Sequence, residues 1–546
     1  MSERPSSGLD GDRRASLAAY LVLLPLYLAP LFVARYLPGL DLPFHLSMAD
    51  MLAKRGRADS PYAAFYEGTI GLQPYALHFW ALLGLGKLMP LMAAHKLCAS
   101  LYVAGLPLAA ALLLGSCGRS RIPALLGFPL AYNLTFHYGH VSFAFALPVL
   151  LLMLAAVARL LVVEDRPWLS FAAAAALALA LFLCHLQNFL FGVCAALAFV
   201  ALSGGRWPRR LLALGALAPA TAASLYWHFT TRFADDPLGR KRTIGFAWEA
   251  IKSARLAEME DRSVWKDILF RLESVPVHLL RGFNDGSDVR GARALLLVLG
   301  AYVVLGLCAR WARPADPAGP GPRLQGAAWV AFLGACAAYL SLPHHLPALE
   351  LTTLAPRFSV LMVLMGLLVV PAGLRGFTGP RRAVLLLPAV ALCGLYAANL
   401  VRVYRQYDHE LADFAAVVNE TPPGGRALGM VYDRGSRVMN VDSALVGLPS
   451  LYPVLRPAPG SMTPLAFCGL RHMPCRRKEG VDLPDPGAWL DRAVDADAFV
   501  PFYDYFFVRR PPPGRPIFGR QRANVELIAQ SGSWQVYRRK GPQATP

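Results

Sequence analysis

The chain has 546 residues, 55% of them hydrophobic and only 16% charged, with a mean hydropathy of +0.41 and a formal net charge of +19. Apolar runs of about 18 or more residues, each long enough to cross roughly 30 Å of hydrocarbon, recur through the first 400 or so positions, which excludes an ordinary soluble protein. The positive charge does not point to nucleic acid, because much of the Lys and Arg falls in short connections between apolar runs, as in the cytoplasmic loops of a membrane protein.

In chain order, a short N-terminal tail, residues 1–16, carries Arg13 and Arg14 and reads as cytoplasmic. The apolar run 17–36 is too long for a signal-peptide core and lacks an obvious small-residue cleavage site, so it reads as a retained first span. Further spans are expected at 92–114, 122–136, 141–163, 168–185, 187–203, 211–229, 292–309, 326–342, 358–374 and 383–401, about eleven in all. With the N-terminus inside, the short connections 115–121, 164–167, 204–210, 310–323 and 375–382 face the cytoplasm, and each carries arginine. The C-terminal tail then lies on the outer side, in a bacterial cytoplasmic (inner) membrane protein with many passes.

The first span is followed by Asp41-Leu42-Pro43-Phe44-His45. Asp41 stands at a helix start before a proline, where a carboxylate caps free backbone N–H groups, and Phe44, Met48, Met51 and Leu52 recur at helical spacing. One reading is thus a capped amphipathic helix at the membrane interface. The other is chemical, since Asp41 and His45, four residues apart, share one helix face just past a membrane boundary.

The long connections, 37–91 and 230–290, fall on the outer side of this topology. The first also holds Tyr62, Tyr66 and the apolar half-helix 73–89, with His78 and Trp80. The second is charged and contains amphipathic patterns around Trp248, Ile251, Arg255 and Leu256 and around Trp265, Ile268, Leu269 and Leu272, which suit segments lying in the interface or roofing a cavity.

Histidine, which played no part in setting the topology, gives an independent indication. His45, His78, His95, His137, His140, His185, His228, His278, His344 and His345 fall on outer connections or the outer ends of spans, and His409 and His472 in the outer tail. Interfacial preference for such rings applies to both membrane faces and does not predict this one-sidedness. The outer face therefore reads as the working face, with ionisable groups at membrane depth as the functional candidates.

His137 and His140 stand in a polar, aromatic turn, His185 closes a span, and His344-His345 follow another. A metal on His137 and His140 lacks a third ligand in the sequence, so metal dependence stays open. Arg357 opens a late span, where a buried cation calls for an anion such as Glu350 or a lipid phosphate. A basic run, Arg240-Lys241-Arg242, offers further cations or simply a solvated loop.

From 402 to 546 the chain turns Pro-, Gly- and Arg-rich, with strand-like runs at 426–432, 505–508 and 534–537 and a helix expected over 409–418. This reads as a small extracytoplasmic α/β domain. Of nine cysteines, only Cys468 and Cys475 lie in this tail, where a disulfide is possible in an oxidising compartment.

Four stretches resemble the GT-C superfamily of integral-membrane glycosyltransferases: Asp41-Leu42-Pro43-Phe44-His45, residues 139–148 beginning Gly139-His140, Arg357-Phe358, and the closing 503–508 and 532–539. The resemblance implies a GT-C-like transmembrane domain over 17–401 that moves a sugar from a polyprenyl-phosphate-linked donor to a glycan, lipid or protein acceptor outside the membrane. It places the general base on Asp41, with His45 beside it. Substrate contacts fall on Arg357, His137, His140, His185, His344 and His345. Relatives often pair two acids in this loop, whereas Leu42 follows Asp41 here, which leaves both a divalent metal and catalysis itself open. A transporter or flippase of lipid-linked saccharide and a silent scaffold for envelope assembly are the alternatives.

Overall fold

A computed structural model describes residues 6–57, 59–68, 70–162, 166–231, 244–259, 262–312, 320–346, 352–468, 473–478, 480, 483–484, 495–511, 513–514 and 516–541. Arg240, Lys241, Arg242, Glu350 and His472 lie outside the described residues, so the roles considered for them have no structural account.

The protein is a polytopic α-helical membrane protein with a small C-terminal sheet. Among the described residues seven helices are long and apolar enough to cross a bilayer: Gly11–Val33, Leu91–Ser116, Val141–Val162, Pro167–Cys184, Ser287–Ala309, Arg323–Ser341 and Gly379–Glu410. Leu186–Leu202 and Leu354–Val369 are apolar but shorter. The expected span at 211–229 lies in a continuous helix, Trp207–Thr231, with a low share of strongly apolar residues.

The expected span at 122–136 does not form one helix. It is a 3-10 turn, Ile122–Leu126, then the short helices Gly127–Ala131 and Leu134–His137. Pro123 and Pro129 each remove a backbone donor, and the segment is folded into the interior rather than left to lipid. Gly127 permits this approach, because a Cβ there would sit 2.8 Å from the backbone of Pro107 on the neighbouring helix.

Helix faces follow the solvent they meet. On the first helix Ala19, Leu23, Tyr27 and Leu31 recur every fourth residue and are buried, while Leu17, Leu21, Val22 and Phe32 remain exposed, as a lipid-facing side requires. The Tyr27 hydroxyl donates to the Cys393 carbonyl at 3.0 Å and so ties this helix to Gly379–Glu410. That last helix runs beyond residue 401, and a second helix, Ala412–Glu420, follows after Leu411.

Among the described residues six strands form two sheets. Strands β1 (Tyr66–Gly68) and β3 (Cys475–Arg477) pair antiparallel. Strands β2 (Ala427–Val431), β4 (Tyr505–Arg509), β6 (Trp534–Arg539) and β5 (Val525–Ser531) lie in the order β2-β4-β6-β5, with β2 and β4 parallel and the other pairs antiparallel. The central strand β4 is buried along its whole length, as a continuous run of Tyr, Phe and Val predicts. Phe414 of the preceding helix packs on Trp534 with ring centroids 5.0 Å apart and covers one face.

The sheet region is joined to the 37–91 connection by several independent contacts. Ser47 and Thr463 share a hydroxyl hydrogen bond of 3.0 Å, the Leu465 N–H donates to the Tyr66 hydroxyl at 3.1 Å, and the rings of Phe44 and Phe467 stand 5.0 Å apart. Cys468 and Cys475 form a disulfide at this junction. The pairing of β1 with β3 therefore fixes the C-terminal region and the first long connection on one side of the molecule.

Candidate active site at Asp41, His140 and Arg357

Asp41 begins the helix Leu42–Lys54, with Pro43 in its first turn, but its side chain makes no capping hydrogen bond. The helix itself is buried from Leu42 to Leu52, so it is an internal element rather than one lying at the interface. The carboxylate is turned instead toward the loop before Val141–Val162, and its Oδ2 lies 3.4 Å from His140 Nε2.

Local backbone geometry brings these two loops together. The Asp41 N–H donates to the Tyr138 carbonyl at 3.0 Å, and the His140 N–H donates to Thr135 at 3.0 Å. Between them Gly139 adopts φ +84°, a left-handed conformation that costs glycine little. A Cβ at Gly139 would lie 2.8 Å from the backbone nitrogens of both Asp41 and Leu42, so the approach requires glycine on steric grounds as well.

Burial dominates the electrostatics. The Asp41 side chain keeps about 21% of its surface accessible and that of His140 11%. Desolvation pushes the Asp41 carboxyl up to about 7, and the nearby Arg357 guanidinium only partly opposes it. His140 is held well below the ordinary imidazole range, first by burial and then by the positive charge of Arg357. The pair is thus a carboxyl close to half ionised at neutral pH beside a neutral imidazole.

Arg357 stands in the first turn of Leu354–Val369 with only 8% of its surface exposed. Its Nη1 lies 3.3 Å from His185 Nε2, its Nε donates to the Thr353 hydroxyl at 3.4 Å, and its guanidinium lies 5.7 Å from the centre of the Phe143 ring. His185 occupies the extended residue between helices Pro167–Cys184 and Leu186–Leu202, with the rings of Tyr75 and Phe143 at 4.9 and 5.2 Å. A buried cation, two imidazoles and a carboxyl from four separate parts of the chain therefore converge at one end of the helical domain.

Other residues singled out in the sequence are placed elsewhere. His45 lies one turn beyond Asp41 with its ring near His78, Phe79 and Phe467, and His140, from a separate loop, also approaches the carboxylate region. His137 packs in the core, its ring 5.2 Å from Phe283 and its Nε2 3.4 Å from the Tyr404 hydroxyl. Burial holds it down to about 3, hence neutral.

His344 and His345 belong to a second cluster, where their backbone N–H groups donate to the Glu258 carboxylate and the His344 ring lies 4.7 Å from His278. Phe143 and Tyr75, which border Arg357 and His185, were not among the sequence candidates; nothing in an apolar or loop context marks one aromatic over its neighbours. Among the described residues no group of three or more His, Cys, Asp or Glu side chains is placed to hold a metal ion. A cleft beside the segment, lined by Tyr36, Leu42, Leu46, Met92, Tyr407 and others, has an apolar wall without acids or imidazoles.

No protein-family model matches the chain, and no curated protein is significantly similar to it. Among solved structures it is similar to arabinofuranosyltransferase AftD from Mycobacteria, with 14% identity and a TM-score of 0.48 over 97% of this chain and 40% of that one. It spans about two-fifths of the AftD chain. It is also similar to ArnT from Cupriavidus metallidurans bound to undecaprenyl phosphate, with 13% identity and a TM-score of 0.37 over 97% of this chain and 99% of that one. The apo form of ArnT gives 14% identity and a TM-score of 0.39.

Proposed function

We propose that the protein is a GT-C-type membrane glycosyltransferase that transfers a sugar from a polyprenyl-phosphate-linked donor to an acceptor hydroxyl, with Asp41 as general base. The observation that carries this reading is the Asp41 carboxyl: it is released from capping, partly accessible, raised to about 7 and set between His140 and Arg357. A base whose pKa lies near the working pH combines availability with proton affinity, and contributes typically about 10² to 10⁴-fold in rate.

In this reading Asp41 takes the acceptor's hydroxyl proton as the acceptor oxygen bonds to the anomeric carbon. The bond from that carbon to the phosphate oxygen breaks, and its electron pair leaves with the lipid phosphate. Arg357, steadied by His185, neutralises the charge that develops there, the largest kind of contribution in many group-transfer sites. His140 keeps the carboxylate oriented, and His45, beside His78 and Phe79, stands one turn further along the same helix. The roles considered for His137, His344 and His345 become those of packing and of a separate loop staple.

The working face would be the extracytoplasmic side of a bacterial inner membrane, where the C-terminal sheet region closes over the site, and the acceptor would be a glycan, lipid or protein. The disulfide between Cys468 and Cys475 suits an oxidising compartment. The lipid named for ArnT, undecaprenyl phosphate, makes its glycosylated form a reasonable first donor to assay. Asp41→Asn keeps the shape but not the base, and transfer should fall at least about 10²-fold while the protein remains folded in the membrane. Full transfer by a folded Asp41→Asn protein would remove Asp41 from the mechanism.

A further inference from the structure

A second group of buried and half-buried charges lies at the opposite end of the first helix. Asp12 is buried, and its carboxylate accepts the Ser120 hydroxyl at 2.7 Å and the Arg121 backbone N–H at 3.0 Å. Arg121 lies close enough to feel both the carboxylate of Asp12 and the like charge of Arg13, and Arg375 feels Asp12 and Arg121 in the same way. Arg382 reaches into this region too: its guanidinium rests on Gly11 and its Nε donates to the Phe377 carbonyl at 3.2 Å. Nearby, Arg119 is buried and donates to the Val370 carbonyl at 2.9 Å and to Gln325.

Two of these guanidiniums lie where a side chain would otherwise stand. A Cβ at Gly115 would come within 2.7 Å of Arg121 Nε, and one at Gly11 would collide with Arg382. Such packing on bare backbone removes much of the rotamer freedom an arginine loses on binding, so the cations are held in place beforehand. Arg121 and Arg375 each face Asp12 together with another cation, Arg13 for Arg121 and Arg121 for Arg375. Burial first and like charge second push Arg121 and Arg375 down, and an added anion would offset the like-charge part.

Depth identifies the anion's class. Asp12 and Val33 are separated by 21 residues of continuous helix, roughly 32 Å at 1.5 Å per residue, close to the thickness of the hydrocarbon core. The cluster thus sits at one membrane surface while Asp41 sits beyond the other, at the level where phospholipid phosphates lie. Basic pockets between helices at that level suit anionic headgroups.

We infer that Arg13, Arg121, Arg375 and Arg382, arranged around Asp12, form a binding site for a phosphate-bearing anion at the membrane face opposite Asp41. The site is separate from the proposed transfer chemistry, so it stands or falls without it. A bilayer phospholipid headgroup and a free phosphate share the necessary chemistry, and the arms of one experiment separate them.

The full chain is reconstituted in phosphatidylcholine nanodiscs, with either phosphatidylglycerol or inorganic phosphate added, and followed by native mass spectrometry and thermal unfolding. The expected result is retention of phosphatidylglycerol with a raised Tm, and retention roughly tenfold or more weaker in R121Q/R375Q, given about 1 kcal/mol per basic residue at the membrane surface. The charge-conserving R121K/R375K protein should keep most of that binding and controls for loss of fold. Equal stabilisation by inorganic phosphate, lost in the same variant, would support the site and assign it to a free anion. Equal retention by wild type and a folded R121Q/R375Q protein, or no retention by either, would overturn the inference.

Discussion

At the scale of single residues, the account rests on how Asp41 holds its proton. Its folded-state pKa is raised, so the native state binds the proton more tightly than the unfolded chain between about pH 4 and 7. The corresponding stability is present below about pH 4 and is lost as the pH rises toward 7. Above that, the folded protein carries the cost of a desolvated carboxylate, up to roughly 4 kcal/mol for a shift of this size and less given its partial exposure. Two measurements follow from one group. The transfer rate at low substrate should rise through about pH 7 as the base ionises, and the fall in Tm between pH 5 and 8 should be smaller in Asp41→Asn than in wild type. A rate already flat from pH 5 upward would show that Asp41 is an ordinary ionised carboxylate.

At the scale of elements, the 244–280 region shows how amphipathic helices are fastened to a membrane domain. Helices Ile244–Met259 and Val264–Glu273 leave Trp248, Leu256, Trp265 and Leu269 exposed, as interface-lying segments do. Their polar side is closed by Arg271, which is 2% exposed and meets Glu258 at 2.9 Å, Asp267 at 3.4 Å and the carbonyls of Tyr339 and Leu342 at 3.0 and 2.7 Å. Arg271→Ala should destabilise this region by about 1 to 3 kcal/mol, because half-buried Glu258 loses its cation and the Tyr339 and Leu342 carbonyls lose their donor, while Asp267 keeps Arg255. Limited proteolysis should then cut within 244–280 much faster than in wild type; unchanged protection would mean that the network contributes little.

Elements also differ in how plainly the sequence announced them. Residues 427–431, 505–509 and 534–539 were legible as strands because their apolar runs are short and bounded by Gly, Pro or Asp. Strand β5 was not, since its alternating, half-exposed pattern around Glu526 and Gln530 gives a weaker signal. Strands β1 and β3 have three residues each and exist only because distant segments meet, which no local pattern encodes. The broken course of 122–136 was hidden by its apolarity, although Pro123 and Pro129 marked where a helix could not continue. Asp41 and Arg357 were legible as ionisable groups at membrane boundaries, but the approach of His140 to Asp41 depends on a backbone bond to Tyr138 and on the turn at Gly139.

At the scale of the whole molecule, the fold separates two charged ends along the same helices. The C-terminal sheet and the first long connection share one end, joined by β1 and β3 and by the Ser47–Thr463 bond, and Asp41 lies there. The arginine cluster around Asp12 lies at the other. Single cysteines introduced at Arg57 and Arg520, in a background without the exposed Cys194 and Cys308, should therefore both react with a membrane-impermeant maleimide in intact cells, while one at Arg206 should not. Opposite accessibility of positions 57 and 520 would contradict the pairing of these regions.

The central claim is that Asp41 and Arg357 face a single phosphate-bearing substrate. The measurement that tests it most directly is a cryo-EM map of the full chain with a non-hydrolysable polyprenyl-phosphate sugar analogue. The account predicts phosphate density within hydrogen-bonding distance of the Arg357 guanidinium, with the anomeric carbon between it and the Asp41 carboxylate. Phosphate bound at another part of the chain, with both Arg357 and Asp41 walled off from the ligand, would contradict it.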